Sequence, residues 1–389
     1  MAAHIITGRV APLIASLLSL SSLSPTSGLA EPTRAPAPRD NAPIAVETIA
    51  RGLEHPWALQ FLSERRLLVT ERPGRMRIIE GDGKLSQPLA GVPPVAAISQ
   101  GGLLDVVLDP DFATRAQIYF CYSEPRGNRS NGSTVARARL VTGQGDARLA
   151  DVEVIFRQEP ATTGGLHFGC RLTFADDGKL FVAPGERFQM QFAQDLSRHW
   201  GKVVRINADG SVPPDNPFVG RSDARPEIWS YGHRNPQSAA IHPVSRKLWI
   251  VEHGPRGGDE VNIAEPGRNY GWPVIGYGID YSGAKLHEST QKPGMEPAIY
   301  YWRPSIAPSG MAFYTGDLIA SWKGNLLVGA LAGKTLHRLV LDGEAIVGEE
   351  VLLKDLNERI RDVRTGPDGA VWLLTDSADA RVLRLVAKS

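Results

Sequence analysis

The sequence is poor in several features that define other classes of protein. Its 389 residues include only two cysteines, and 43 lysines and arginines nearly balance 42 aspartates and glutamates. There is no basic run to bind nucleic acid or anionic lipid, and no stretch after the N-terminal region is long and apolar enough to span a bilayer. Neither cysteine has a CxxC or Cys/His spacing, so the sequence does not indicate a zinc site.

Helical periodicity is also nearly absent. Apolar residues alternate in short runs broken by Gly, Pro, Asp and Asn, a pattern typical of all-β proteins. The best place for one or two helical turns is "AQDLSRHW", residues 193–200.

The first thirty residues have the three parts of a secretory signal peptide. Arg9 precedes an apolar run from Ala11 to Leu23, and small residues then end at Ala30, where we expect cleavage. The alternative is a membrane anchor, although the run is shorter than the ~20 residues that span a bilayer. This segment predicts a periplasmic or secreted protein.

Residues 31–45 are rich in Pro and Ala and predict a flexible leader before one domain, 46–389. In an exported protein, Cys121 and Cys170 form either one disulfide or two buried thiols.

One loose pattern recurs along the domain: an alternating run, a turn such as Asp-Gly or Asp-Pro, and a second strand. It recurs six times, starting at Trp57, Leu103, Arg171, Ser238, Gly310 and Asp362. Six units at intervals of about 45–70 residues predict an all-β six-bladed β-propeller, in which loops from distant parts of the chain meet around a central channel. A pair of β-sandwiches is the alternative.

A histidine lies among glycines just before the third repeat, in "TTGGLHFGCRLTF", residues 162–174. His167 would lie near the axis, and an imidazole that titrates near neutrality can accept a proton there. The alternative, which this stretch alone favours, is a turn histidine that only makes a hydrogen bond.

Basic and amide side chains occupy similar places in other repeats. Arg234 and Asn235 in "WSYGHRNPQ" precede the fourth repeat, and Gln100 in "ISQGGLLDVVLDP" precedes the second. Arg359 and Arg361 alternate in "NERIRDVRTGPDG" and would therefore lie on one face of a strand. The guanidinium groups suit a small polyanion, whereas the alternative is ordinary pairing with acids at the surface.

The stretch "EHGPRGGDEVNIAEPGRNYGWP", residues 252–273, mixes acids with glycines. Such a loop can supply the oxygen ligands that calcium prefers, but it is not an EF-hand, and the calcium interpretation is weak from this stretch alone.

Together these five stretches resemble the soluble PQQ-dependent sugar dehydrogenases of the periplasmic aldose sugar dehydrogenase type. The resemblance runs from about Gly52 to the C-terminus, and its markers "QGGLLDVVLDPDF", "GHRNPQ", "GPRGGDEVN", "NYGWP" and "RIRDVRTGPDG" occur in family order. The family fold is a six-bladed propeller, in agreement with the repeat count.

The resemblance implies roles for individual positions. His167 matches the catalytic base and Glu186 the acid that pairs with it. The positions that match contacts of PQQ, a small tricarboxylate quinone, are Gln100, Arg234, Asn235, Arg359 and Arg361. The carbonyls of Gly254 and Pro255 match ligands of a calcium beside PQQ, and Glu260 with the carbonyl of Tyr270 matches a second, structural calcium site.

Two positions depart from the family pattern. The family lysine that contacts PQQ is replaced by Ala332, with Lys334 the nearest lysine, and Ser305 stands where relatives often have threonine. The resemblance therefore leaves open whether Lys334 reaches PQQ.

The implied reaction oxidises an aldose at C1 to a lactone. His167 would take the hydroxyl proton, the hydride would pass to C5 of PQQ, calcium would make that carbon more electrophilic, and an external acceptor would receive the electrons. The protein would be a monomer or a homodimer. Two alternatives remain at this point: a calcium-dependent lactonase propeller, and a non-catalytic exported propeller that binds a glycan or a protein.

Overall fold

The computed structural model describes residues 1–2, 35–40, 42–143 and 146–388. Almost all of the expected signal peptide therefore lies outside the described residues. Within them, no helix is long and apolar enough to cross a membrane.

The described chain folds into six small antiparallel sheets, which we number as blades 1 to 6 in chain order of their inner strands. The strands of blades 1 to 3 are β2 (Pro56–Ser63), β3 (Arg66–Glu71) and β4 (Arg75–Ile79); β5 (Leu103–Leu108), β6 (Gln117–Pro125), β7 (Asn131–Val141) and β8 (Arg148–Arg157); and β9 (Gly169–Phe174), β10 (Leu180–Pro184), β11 (Lys202–Ile206) and β12 (Ile228–Tyr231). Blades 4 to 6 contain β13 (Pro236–Ile241), β14 (Leu248–Glu252), β15 (Asp259–Ile263) and β16 (Tyr300–Trp302); β17 (Pro308–Phe313), β18 (Leu326–Ala330), β19 (Leu336–Asp342) and β20 (Ala345–Leu352); and β21 (Ile360–Thr365), β22 (Val371–Thr375), β23 (Ala380–Ala387) and β1 (Ile44–Leu53).

The six sheets close into a ring. The inner strands β2, β5, β9, β13, β17 and β21 each contact the next, and β21 contacts β2. The N-terminal strand β1 pairs with β23, with Ile44 opposite Ala387, and so completes blade 6. This arrangement confirms the six-bladed propeller and excludes two sandwiches.

The second strands of several blades explain why the fold holds together. In β10, β14, β18 and β22 every residue is buried, because each of these strands is covered on both faces by neighbouring blades. Their sequences, LFVAP, LWIVE, LLVGA and VWLLT, are accordingly short and nearly continuous apolar runs. The core therefore lies between the blades and leaves the channel mouth to polar side chains.

The prediction of helical turns at 193–200 is wrong. A 3₁₀ turn lies earlier, at Met190–Phe192, and the other helical elements lie elsewhere: the four-residue α-helix α1 (Phe112–Arg115) and 3₁₀ turns at Ala320–Trp322 and Lys354–Leu356. One reason is Lys202, whose buried ammonium donates to the carbonyls of Phe192, Ala193 and Trp200 at 3.2, 2.8 and 2.6 Å. Of these carbonyls, that of Ala193 is the one that a helix over 193–200 would have paired with a local amide, and it also accepts the distant amide of Gly232 at 3.0 Å.

The two cysteines are joined by a disulfide between Cys121 in β6 and Cys170 in β9. The bond therefore joins blade 2 to blade 3, directly after the segment that holds His167.

Residues of the segment 31–45, which we expected to form a flexible leader, contact the propeller at the positions that the structure describes. Strand β1 begins at Ile44, Asp40 pairs with the buried Arg338 of β19, and the carbonyl of Pro36 accepts the amide of Glu349.

Candidate functional site

The loops that lead into the inner strands hold most of the predicted site residues. Because inner strands of a propeller run side by side around the channel, the starts of these strands share one end of the ring. The residues placed at these starts are Gln100 before β5, His167 before β9, Arg234 and Asn235 before β13, Ser305 before β17, and Arg359 and Arg361 at β21.

A cavity of about 280 Å³ lies at this end of the channel. Its polar lining comes from several different blades, and its apolar walls include Trp57, Phe168 and Leu331. The polar side chains that line it are Arg72, Gln100, Gln237, His253, Arg359 and Arg361. The cavity thus brings together three of the residues predicted from sequence with three that the sequence analysis missed.

The charge of this cavity is positive. Asp376 accepts from Arg361 at 2.8 Å and contacts Arg359 at 3.5 Å, so one acid faces the guanidinium groups of these two residues and of Arg72. Burial raises the pKa of Asp376, but the charge of Arg361 and hydrogen bonds from His55 and Arg361 outweigh it and hold this pKa well below its usual range. The acid is therefore ionised and still leaves a surplus of positive charge.

Two of these guanidinium groups have unused donors. The Nε atoms of Arg72 and Arg361 are buried without a hydrogen-bond partner among the described residues. A buried donor without a partner costs free energy, so such atoms indicate an acceptor that binds there. Burial, together with the charges of Arg361 and Arg359, lowers the pKa of Arg72. The lining fits a compact anion with several oxygens.

His167 lies beside this cavity, and its neighbours Phe168 and Gly169 form part of the wall. Its Nδ1–H donates to Oε2 of Glu186 at 2.6 Å, and both side chains are nearly fully buried. Its backbone amide donates to the side-chain oxygen of Gln100 at 2.8 Å. Nε2 has no hydrogen-bond partner among the described residues, and that nitrogen is left to accept a proton.

Burial is the main influence on the proton affinity of His167. It lowers the pKa of the imidazole, which the hydrogen bond and charge of Glu186 raise and the charges of Arg234 and Arg187 lower further. The net direction is downward, so the neutral imidazole is the resting form near neutral pH.

Glycines let the two loops of this pair come together. A Cβ on Gly185 would lie 2.2 Å from the carbonyl oxygen of His167, and one on Gly169 would lie 2.7 Å from the amide nitrogen of Gly185. Gly169 and Gly185 therefore allow the close approach of two backbone segments, the one that holds His167 and the one that leads to Glu186.

A second, much smaller cavity of about 10 Å³ adjoins the first, and His253 lines both. All four residues predicted as calcium ligands line it together: Gly254, Pro255, Glu260 and Tyr270. The sequence analysis assigned them to two calcium sites, whereas the structure gathers them around one space that has room for about one water-sized particle.

The small cavity brings two acidic side chains, Glu252 and Glu260, close to each other. Burial and the charge of Glu252 raise the pKa of Glu260 well above its usual value, and its hydrogen bond comes from the side-chain amide of Asn262 at 3.1 Å. Arg234 donates to the carbonyls of His253 and Gly254 at 3.0 and 2.7 Å. The carboxyl groups of the buried Glu252 and the half-buried Glu260, beside backbone carbonyls, are a donor set that suits calcium, although the described residues contain no group of three or more His, Cys, Asp or Glu side chains arranged to hold a metal.

Several predicted residues do not line the larger cavity. Ser305 donates to Asp259 at 2.7 Å, and Lys334 donates to the side-chain oxygen of Asn357 at 3.1 Å. Asn235 accepts from Gln237, and its own Nδ2 is buried without a partner in the described chain. Arg234 lines the small cavity, so the expected clamp of three arginines is divided between two adjoining spaces.

The polar cavity residues that were not predicted from the sequence are Arg72, Gln237 and His253. Arg72 follows the second strand of blade 1 in "TERPG", which has no recognisable motif. His253 lay within the stretch examined for calcium, and its Nε2–H donates to the carbonyl of Pro308 at 2.7 Å. Burial, with the charges of Arg234, Arg361 and His167, lowers the pKa of His253 to about 3, so this imidazole is neutral.

Comparison with known proteins gives consistent matches over nearly the whole domain. The family model described as Glucose / Sorbosone dehydrogenase matches residues 53–384. The chain is 46% identical over 347 residues to Aldose sugar dehydrogenase YliI of Escherichia coli (strain K12), a match that covers 88% of this chain and 93% of the relative.

Solved structures agree. A glucose dehydrogenase crystal structure shares 50% identity at a TM-score of 0.86, over 89% of this chain and 100% of the other. The PQQ-bound form of an aldose sugar dehydrogenase from Streptomyces coelicolor shares 28% identity at a TM-score of 0.75, over 89% of this chain and 99% of the other.

Proposed function

Because this chain belongs to the glucose/sorbosone dehydrogenase family, we propose that it is a PQQ- and calcium-dependent dehydrogenase that oxidises aldose sugars at C1 to lactones. The observation that carries the proposal is the positive cavity of about 280 Å³ beside the His167–Glu186 pair. The PQQ-bound relative supports the choice of cofactor.

The residues that would hold PQQ are Arg72, Arg359, Arg361 and Gln100, since their side chains line the cavity. Guanidinium groups bind carboxylates by paired, charge-assisted hydrogen bonds, so the unpartnered Nε atoms of Arg72 and Arg361 suit a tricarboxylate. Calcium would take oxygens from Gly254, Pro255 and Glu260. When bound, PQQ supplies a two-electron acceptor and calcium draws electron density from it.

His167 is the base of the proposed reaction. Its Nε2 takes the proton of the C1 hydroxyl while the C1 hydrogen leaves with its electron pair, and the C1–O bond becomes a carbonyl. Glu186 holds the proton on Nδ1, which leaves Nε2 free as the acceptor, and it stabilises the imidazolium that forms. An external acceptor then removes the electrons.

Reconstitution tests the proposal. Purified protein is titrated with PQQ and calcium while the quinone absorbance is followed, and an aldose is then added. We expect saturable binding and bleaching of the quinone band. A lactonase or a binding module would give no bleaching, and that result would exclude the dehydrogenase.

Two variants separate chemistry from binding. His167→Ala should bind PQQ as the wild type does but lose about 10²–10⁴ in kcat, since a general base contributes that much. Arg359→Ala should weaken PQQ binding about tenfold, because one charge-assisted contact is lost. Arg359 suits the test because 44% of its side chain is exposed.

Arg139→Ala is the matched control, since Arg139 is a similarly exposed arginine that pairs with Asp151 on the outer strands of blade 2. Arg139→Ala should change neither kcat nor the affinity for PQQ. Normal turnover in His167→Ala would show that His167 is not the base.

We also propose that the chain is exported and that residues 46–389 act as a single catalytic domain. The predicted signal peptide supports this assignment, and N-terminal sequencing of the secreted or periplasmic protein should begin at Glu31.

A further inference from the structure

An exposed aromatic ring stands beside the proposed base. Phe188 is 58% exposed, its ring centroid lies 5.2 Å from that of His167, and the two ring planes meet at 66°. Met190, two residues further on, and Leu166, next to His167, are also exposed apolar side chains. An aromatic ring left in solvent next to a buried imidazole is not explained by the packing of the core.

The backbone that carries the Phe188 ring adopts a strained conformation. Arg187 and Phe188 have φ angles of 59° and 61°, which side-chain-bearing residues rarely adopt, and the amide of Phe188 donates to Oε2 of Glu186 at 3.3 Å. Arg187 anchors the turn, because its guanidinium lies 3.6 Å over the ring of Phe168 and donates to the side-chain oxygen of Asn131 at 2.8 Å. Two strained residues held by so many contacts indicate that the position of the ring matters.

We propose that Phe188 is the platform on which one face of the aldose ring stacks, so that the C1 hydroxyl is directed at Nε2 of His167. This inference rests on the proposed function. The C–H groups on one face of a pyranose carry partial positive charge, and the face of a phenyl ring is negative, so the two surfaces are complementary.

The position of the ring favours the sugar over the other small molecules of the reaction. Phe188 does not line the positive cavity, whose arginines we assign to the anionic cofactor. The molecule that gives up a proton must touch His167, and Phe188 is the exposed ring in contact with it. Phe188 is thus a positioning residue that acts on affinity for the sugar.

The test compares Phe188→Ala, Phe188→Leu and Phe188→Tyr with the wild type, all loaded with PQQ and calcium. Loss of one aromatic stacking contact should raise KM for glucose about tenfold in Phe188→Ala, with kcat changed much less. Phe188→Tyr should restore the wild-type KM, because a phenol presents the same face, and Phe188→Leu should be intermediate.

Binding of the lactone product, measured by calorimetry, should weaken in parallel in Phe188→Ala while the affinity for PQQ stays unchanged. Val244→Ala is the control, since Val244 is an exposed apolar residue in the turn between β13 and β14. Thermal melting of each variant shows whether it is folded, and Phe188→Leu keeps the comparison possible if the alanine variant is not.

The outcomes separate the two proposals. A wild type that binds PQQ and oxidises aldoses, with unchanged KM in every folded Phe188 variant, would overturn the platform alone. If turnover is assayed with an artificial dye as the external electron acceptor, a raised KM for the dye with unchanged KM for sugar would show that the ring serves the electron acceptor instead. A wild type that never oxidises an aldose would overturn both.

Discussion

At the scale of single residues, Glu186 controls how His167 titrates. Its charge and hydrogen bond raise the pKa of the imidazole, against the larger effect of burial. Glu186→Gln should therefore lower that pKa further and move the acid limb of the kcat/KM profile to lower pH. The maximal rate should fall about 100-fold or more, since the imidazolium loses its stabilising partner.

The measurement is the pH–rate profile of the reconstituted enzyme. Glu80→Gln is a suitable control, because Glu80 pairs with Arg66 at the surface of blade 1. A limb that moves to higher pH would contradict the assigned roles.

The same scale shows what sequence can find in a site. The motifs indicated His167 and the arginines at β21, because each lies next to a repeat start, whereas Glu186 was indicated only by the family resemblance. They did not reveal that Lys334 donates to Asn357 or that Ser305 donates to Asp259, since these partners lie 23 and 46 residues away. Arg72 escaped notice because convergence around a channel leaves no local pattern in sequence.

At the scale of elements, Lys202 at the start of β11 holds the preceding segment through hydrogen bonds to three backbone carbonyls. Burial lowers the pKa of its ammonium to about 7, while an unfolded lysine titrates near 10.4. The unfolded chain therefore binds more protons between these values, and the stability contributed by Lys202 rises with pH across that window.

The free energy of unfolding of the wild type, compared with Lys202→Met, should increase by up to about 1.4 kcal/mol per pH unit between pH 7.5 and 9.5. Urea titrations at several pH values measure the difference, with the exposed Lys84→Met as the control. A difference that is flat or decreases with pH would contradict this account.

The strand boundaries also show why the six repeats could be recognised in the sequence. Each inner strand begins within two residues of its predicted repeat start: Pro56 for Trp57, Gly169 for Arg171, Pro236 for Ser238. Period-2 alternation and turn residues are local signals, so they survive in the sequence. A helix at 193–200 was wrongly expected because the carbonyls of Ala193 and Leu196 accept from the distant amides of Gly232 and Arg225, which the local sequence does not reveal.

At the scale of the whole molecule, the disulfide adds a covalent link between blades 2 and 3, which also meet through Asp105, the partner of the Arg171 guanidinium and of the Leu172 amide. Cys121 and Cys170 are 49 residues apart, and closing such a loop restricts the unfolded chain. Replacing both by serine should lower the free energy of unfolding by about 2–5 kcal/mol. Denaturant unfolding measures this loss of stability in the double variant, in the wild type and in the wild type with reductant. Equal free energies of unfolding in these three samples would show that the disulfide is dispensable.

The pairing of β1 with β23 governs the order of assembly. The strand made first has its partner among the last residues to be synthesised, so Ile44–Leu53 stays an unpaired edge until Ala380–Ala387 arrives. Five blades can form as the chain emerges, but the sixth cannot be completed before synthesis has passed Ala387. A truncated chain that ends before β23 therefore forms an open ring with an unpaired, aggregation-prone edge strand, rather than a shorter active enzyme.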